Sequence, residues 1–197
     1  MIAEIYSGIS TALGVPRFKN DLQYKLVLTD SQKAFANKLM SSERNVGINL
    51  LGSKLGWQIS DEDCKALCTH ILSLYPLTKI WLLSSPSSYL KMVDLSLEIN
   101  HPDVQVIKPT NDVMDVAAII ASLDLLITPD TSLVHIACAF HTPLVAVYPN
   151  SPKAFTQWRP LHLSDKCEVI FGKYEKSLEG YSFKATLKAV DKLLKTA

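Results

Sequence analysis

Short apolar runs alternate along the chain with segments in which apolar residues recur every three or four positions. The runs are typical of buried strands, and the recurring positions are typical of helices with one buried face. Strands are predicted at residues 45–51, 79–83, 104–107, 123–128 and 144–148. Helices are predicted at residues 31–40, 60–75, 89–99, 111–122, 131–140 and 182–195.

Strands and helices that alternate with short connections predict an α/β fold, a Rossmann-like parallel sheet with helices on both faces. The strands are almost continuously apolar, as expected when both faces of a sheet are covered. Ligands of such sheets bind beyond the carboxyl ends of the strands. Candidate functional residues are therefore sought in the loops that follow the strands.

The two ends of the chain differ from this central α/β unit, which we place at residues 45–180. Residues 1–44 are too few for an independent domain and are expected to be the remnant of a preceding one, or an extension packed on the sheet. Residues 181–197 are expected to form an amphipathic helix whose polar side carries lysines. A solvated lysine face is the favoured interpretation, and contact with phospholipid stays open as the alternative.

Composition excludes several classes of protein. The chain has 197 residues, 48% of them hydrophobic and 20% charged, which suits a globular protein rather than a disordered one. A net charge of +1 gives no support for nucleic-acid binding. His135, His141 and Pro143 interrupt the most apolar stretch, and no basic residue precedes Arg17, so neither a membrane span nor a secretory signal is expected. The predicted location is the cytoplasm.

Four cysteines are too few for a disulfide scaffold in a chain of this length. Cys64 and Cys68 continue an apolar stripe with Leu67, Ile71 and Leu72 on one predicted helix. Free cysteine behaves as a small buried hydrophobe. Core packing is therefore favoured over metal binding.

The strongest candidate site lies where the strand 123–128 leads into the helix 131–140. Asp130 is the predicted N-cap, and the amides of Thr131, Ser132 and Leu133 would face outward from the positive end of the helix. Thr131, Ser132 and His135 share one helix face. Hydroxyls, amides and an imidazole around one point suit a phosphate or a diphosphate. The alternative is an ordinary cap, and the Asp130 carboxylate would repel an anion unless it is turned into the cap or neutralised.

A second candidate is the loop LGSKLGW at residues 51–57. Its two glycines and Ser53 would let the backbone approach a ligand, and Lys54 supplies a cation. Trp57 would either cover a sugar or pack. The loop lacks the order of a P-loop, and no Gly-x-Gly-x-x-Gly occurs, so a dinucleotide is not supported.

A third candidate is the polar, proline-rich stretch at residues 148–160. Lys153 and Arg159 could meet phosphate there, whereas Phe155 and Trp158 are expected to anchor the loop. No set of nucleophile, base and orienting residue is visible anywhere in the chain, so no catalytic residue is predicted.

Residues 45–165 resemble the carboxyl-terminal half of the heptosyltransferase-like glycosyltransferases of family 9. The resemblance rests on the helix start DTSLVHIA at residues 130–137, on the strand LVAVY that Pro143 leads, and on the loop from Lys54 to Trp57. The stretch 108–122 resembles the family's segment that supports the donor base. Ser132 stands where the family more often has glycine, a change that still permits donation by the backbone amide.

The resemblance implies one half of a GT-B glycosyltransferase, with residues 45–180 as the nucleotide-sugar-binding domain. The donor would be a nucleotide-diphosphate sugar, typically ADP-heptose, held without a metal or other cofactor, and the parent enzyme would transfer heptose to the lipopolysaccharide core. The residues implied in donor binding are Ser53, Lys54, Lys108, Asp130, Thr131, Ser132, Leu133 and His135. Such an enzyme works at the inner face of the bacterial inner membrane, so a peripheral contact there is also implied.

Two departures from the family pattern are visible. The 197 residues leave no room for the amino-terminal domain that binds the acceptor, so this chain by itself is expected to bind donor weakly without turnover. Ser84, Ser85, Pro86 and Ser87 also replace an acidic residue expected near the ribose or the sugar. The alternative hypothesis is a non-catalytic binding module whose exposed domain face forms a homodimer. An epimerase-like protein is a weaker third option.

Overall fold

A computed structural model describes residues 26–40, 43–52, 54, 56–161 and 165–195. Most of the predicted remnant at the amino end and the predicted site residue Ser53 lie outside the described residues. The elements, in chain order, are α1 (Asp30–Leu39), β1 (Arg44–Ile48), α2 (Asp61–Leu74), β2 (Thr78–Leu82), α3 (Tyr89–Ile99), β3 (Val104–Val106), α4 (Val113–Ala121), β4 (Leu125–Pro129), α5 (Ser132–Phe140), β5 (Leu144–Tyr148), α6 (Pro152–Trp158), β6 (Cys167–Phe171) and α7 (Phe183–Leu194).

All six strands pair in parallel in the order β3-β2-β1-β4-β5-β6. Val46 of β1 lies between Ile80 of β2 and Leu125 of β4. This is the Rossmann strand order: β2 and β3 lie on one side of β1, and β4, β5 and β6 lie on the other. The predicted fold class is confirmed, and the loops after β1 and β4 flank the crevice where such sheets bind ligands.

Apolar side chains form one core on each face of the sheet. Helices α2, α3 and α7 cover one face, and α4 and α5 cover the other. Cys64 and Cys68 are fully buried in the first core beside Leu67 and Ile71, so their side chains pack as the stripe predicted.

Polar residues begin the helices where the sequence indicates. Thr29 and Gln32 form a reciprocal capping box at α1. Ser60 accepts a hydrogen bond from the Asp63 amide at α2, and Ser182 accepts one from the Ala185 amide at α7. These caps satisfy amides that have no partner within the helix.

Two elements were not predicted from the sequence. β6 is an edge strand that lacks the continuous apolar run of the central strands: its first four residues are half-buried and the last, Phe171, is exposed. α6 begins with Pro152. Proline suits the first turn of a helix because the amide hydrogen that it lacks would have no partner within the helix at that position. The prolines around residues 149–160 indicate a loop in the sequence, whereas one of them starts this helix.

The amphipathic character of α7 is as predicted. Ala189, Val190 and Leu193 are buried against the sheet, and Lys184 and Lys188 are exposed on the outer side. Among the described residues, no helix has the length and apolar character needed to cross a bilayer.

Candidate functional site

The loops after β1 and β4 meet at the carboxyl edge of the sheet. Lys54, Asp130, Thr131, Ser132 and His135, all singled out in the sequence, line one cavity of about 410 Å³. We call it the charged cavity; Trp57, Ala154 and Trp158 complete its lining. The strand order makes this convergence possible because β1 and β4 are neighbours in the sheet.

The cap of α5 is Thr131, so the prediction of Asp130 as N-cap was wrong. The Asp130 amide still donates to the Val147 carbonyl at 3.0 Å, which continues the strand pairing and delays the turn by one residue. Thr131 has the extended backbone of an N-cap (φ −147°, ψ 174°), and its Oγ1 accepts a hydrogen bond from the Leu133 amide at 3.2 Å. Within the described part of the chain, no group accepts a hydrogen bond from the Thr131 or Ser132 amide. Two of the three amides predicted to meet an anion therefore belong to residues that line the cavity and have no acceptor among the described residues, and the third, that of Leu133, serves the cap.

The Asp130 carboxyl group, which is not used as a cap, is nearly buried beside the cavity, with 7% of the residue exposed. Burial raises its pKa to about 6, and the positive charge of Lys54 opposes that rise. A bound anion would favour the protonated form still further because protonation removes the repulsion. The carboxyl group is thus the group in this cavity whose charge can adapt to a ligand near neutral pH.

His135 lies one turn into α5, and burial lowers its pKa. The imidazole is therefore neutral at pH 7 and offers hydrogen bonding rather than positive charge. Lys54, exposed at the cavity, supplies the cationic side chain.

The loop after β1 folds back on itself, and its glycines serve that fold. A Cβ atom on Gly52 would lie 2.0 Å from the Trp57 carbonyl oxygen, and Gly56 has a φ of +81°, which few other residues adopt. The Trp57 indole N–H donates to the Lys176 carbonyl at 2.9 Å. Trp57 is almost buried although it lines the charged cavity, and Lys54 Nζ lies 4.7 Å from its ring centre.

Two polar residues that the sequence did not single out connect the two loops. The Asn49 side-chain amide donates to Thr128 Oγ1 at 2.9 Å and to the Leu51 carbonyl at 3.0 Å. Thr128 Oγ1 lies 3.3 Å from the hydroxyl of the cap residue Thr131. Both Asn49 and Thr128 are buried. A polar residue at the end of an apolar strand is the feature of the sequence that could have identified them.

A second cavity, of about 550 Å³, adjoins the first and shares Thr131 with it. We call it the hydroxyl cavity because four serines from the loop after β2 line it together with Thr110 and Asp112. Its full lining is Asn49, Leu51, Gly52, Leu83, Ser84, Ser85, Pro86, Ser87, Ser88, Pro109, Thr110, Asp112, Val113, Val116, Thr131 and Leu133. Asp112, which no sequence motif singles out, brings a carboxylate to the region where the serines replace the acidic residue of the family pattern.

Three cations named in the sequence analysis line neither cavity. Lys108 is exposed after β3, beside the lining residues Pro109 and Thr110. Lys153 is exposed on α6, and Arg159 follows that helix. Within the described residues, no group of three or more histidine, cysteine, aspartate or glutamate side chains is placed to hold a metal ion.

Residues 72–185 match the family model of glycosyltransferase family 9 (heptosyltransferase), which is more than half of the chain. The chain belongs to this family. It is 28% identical over 171 residues to an Escherichia coli (strain K12) protein named "Putative lipopolysaccharide heptosyltransferase 4", covering 87% of this chain and 42% of that protein. The resemblance inferred from the DTSLVHIA motif is thereby confirmed.

Solved structures of other proteins have the same fold as this chain. The family 9 glycosyltransferase of Veillonella parvula superposes with a TM-score of 0.83 at 18% identity, covering 98% of this chain and 60% of that one. ADP-heptose lipopolysaccharide heptosyltransferase II of E. coli superposes with a TM-score of 0.74 at 19% identity, covering 94% and 57%. These neighbours are GT-B glycosyltransferases, and the chain spans about half the length of the relatives it matches.

Proposed function

We propose that this chain is the nucleotide-sugar-binding half of a glycosyltransferase that transfers heptose from ADP-heptose to a lipopolysaccharide core acceptor. One observation carries the proposal: Lys54 and the uncompensated start of α5 line a single cavity at the crevice between β1 and β4. A cation and backbone amides at a helix start are the groups that bind phosphate. The names of the relatives support the choice of heptose and of the lipopolysaccharide acceptor.

The two cavities suggest how the donor lies. Thr131 lines both, so the diphosphate would sit at their junction, against the Thr131 and Ser132 amides and within reach of Lys54. The larger hydroxyl cavity would take the nucleoside, where serine hydroxyls and Asp112 can bond the ribose. The sugar would then extend into the charged cavity.

The proposed chemistry is direct displacement at the anomeric carbon with inversion, in which the nucleoside diphosphate leaves. Negative charge grows on the diphosphate in the transition state, and fixed donors aimed at it lower the barrier. Lys54 and the two amides supply such donors. The acceptor and the base that deprotonates it would be provided by a part of the enzyme beyond this half, at the cytoplasmic face of the inner membrane.

Calorimetric titration of the chain with ADP, UDP and GDP tests the proposal. We expect ADP to bind most tightly, and Lys54→Ala to lower the affinity for ADP by about tenfold or more, since a hydrogen bond to a charged group contributes roughly 1.5–3 kcal/mol. Lys188→Ala, on the exposed side of α7, is the matched control and should bind like the wild type.

Other outcomes would contradict the proposal. Equal affinities for the three nucleotides would contradict the proposal that the donor carries adenine. A tight dimer in light scattering that binds no nucleotide would favour the alternative, a non-catalytic module that dimerises through its former domain face.

A further inference from the structure

Trp158 differs from the other two tryptophans of the chain in its exposure. Trp158 is 44% exposed, whereas Trp57 and Trp81 are 7% and 4% exposed. Its indole lines the charged cavity, with the ring centre 6.3 Å from that of His135. A large aromatic face left open in a cavity beside polar groups is typical of a ligand contact.

Phe155 provides the side-chain anchoring that the sequence assigned jointly to Phe155 and Trp158. The Phe155 ring packs edge-on against the rings of Tyr148 and Phe171, with 5.2 Å and 4.9 Å between ring centres. The Tyr148 hydroxyl donates to the Trp158 backbone carbonyl at 3.0 Å. The backbone at Trp158 is thus held in place while its indole stays at the cavity, so the side chain does not have to be ordered when a ligand binds.

The groups beside the indole suit a carbohydrate. A sugar ring presents an apolar face of C–H groups and a rim of hydroxyls, which need an apolar surface and a few directed polar partners. Trp158 offers the surface, and the neutral His135 imidazole and the Asp130 carboxyl group offer polar partners in the same cavity. The amide of Thr131, which lines both cavities, would meet the charge of a diphosphate at their junction, with Lys54 on the side of the charged cavity.

We propose that the Trp158 indole is the platform on which the transferred sugar ring stacks, so that the charged cavity is the sugar subsite of the donor. This inference rests on the proposed function, because it requires that the diphosphate lie at the Thr131 junction. It assigns to α6, an element without a buried residue of its own, the task of presenting a specificity-determining side chain.

The test compares the affinities for ADP-heptose and ADP in the wild type and three variants. In the wild type, we expect ADP-heptose to bind more tightly than ADP, and Trp158→Ala to reduce the ratio of the two affinities by about tenfold, the scale of one aromatic stacking contact. Trp158→Phe should keep most of the ratio because it keeps an aromatic face. Tyr174→Ala, an equally exposed aromatic that lines neither cavity, is the control and should leave the ratio unchanged.

Fluorescence supplies an independent readout, since Trp158 is the accessible indole. Saturating ADP-heptose should protect it from acrylamide quenching more than saturating ADP does. Equal protection by both ligands, or a Trp158→Ala variant that weakens ADP and ADP-heptose by the same factor, would overturn the platform while leaving nucleotide binding intact. A wild-type chain that binds neither ligand would overturn the proposed function and the platform together.

Discussion

The charged cavity and the hydroxyl cavity lie side by side at one edge of the sheet. Their chemistry differs because the helices beside them, α5 and α4, have different N-cap residues. Asp112 caps α4 with a carboxylate that accepts from the Met114 amide at 2.8 Å, and this charge offsets the positive helix end. Thr131 caps α5 with a neutral hydroxyl. The positive end of α5 is therefore left for a ligand's charge, whereas the hydroxyl cavity beside α4 is suited to neutral hydroxyl groups.

Asp130 qualifies this contrast because it places a carboxyl group immediately before the neutral cap of α5. Burial raises its pKa to about 6, so this carboxyl group keeps its proton to a higher pH than an ordinary aspartate does. An anion site can thus adjoin an acidic residue, provided that the residue can take up a proton near neutral pH.

The substitution Asp130→Asn is expected to have the largest effect, which is on the free energy of unfolding. The pKa in the folded protein, about 6, lies above the ordinary aspartate value of 3.8, so the contribution of this group to stability is complete below pH 4 and is lost as the pH rises through 6. At pH 8 we expect the variant to be more stable than the wild type by about 3 kcal/mol, from roughly 1.4 kcal/mol per pKa unit. The difference should approach zero near pH 4.

Urea unfolding at pH 8 and pH 4 measures this difference, with Asp94→Asn, on the exposed side of α3, as the surface control. A variant less stable than the wild type at pH 8 would mean that Lys54 stabilises the ionised carboxylate more than burial disfavours it.

A smaller effect is expected for Thr128→Val, which breaks the polar connection between the two loops. Valine keeps the shape of threonine but leaves the buried Asn49 amide without one acceptor, which costs about 1–2 kcal/mol. Urea unfolding should show that loss, and ADP affinity should fall with it because the Thr131 hydroxyl loses a neighbour. Thr69→Val, at an exposed threonine of α2, should change stability by less than about 0.5 kcal/mol.

The smallest effect is expected in the hydroxyl cavity. Asp112→Asn should lower the preference for ADP over 2′-deoxy-ADP by about fivefold, near 1 kcal/mol, because an amide oxygen accepts a ribose hydroxyl more weakly than a carboxylate does. The cap itself should survive, since asparagine still accepts from the Met114 amide. Calorimetry measures the ratio, with Asp115→Asn as the control on the same helix. An unchanged ratio would place the ribose elsewhere.

Local sequence patterns predicted most elements but missed details that depend on neighbours. α3 and β5 have the predicted bounds, because their apolar spacing and flanking polar residues are local properties. The start of α5 differed by one residue because the Asp130 amide pairs with Val147 of the adjacent strand. Similarly, only packing against Tyr148 and Phe171 distinguishes the anchoring ring of Phe155 from the exposed ring of Trp158.

The amino-acid sequence by itself determined the alternation of buried strands and amphipathic helices, and it placed the chemistry-bearing residues in the loops after β1 and β4. Periodicity is a property of a few consecutive residues, so it can be identified without the fold. The tertiary structure decided that β1 and β4 are neighbours, which brings Asn49 and Thr128 into contact across 79 positions of the chain. Pairing between parallel strands depends on contacts distant in sequence, and the two cavities exist only once that pairing has formed.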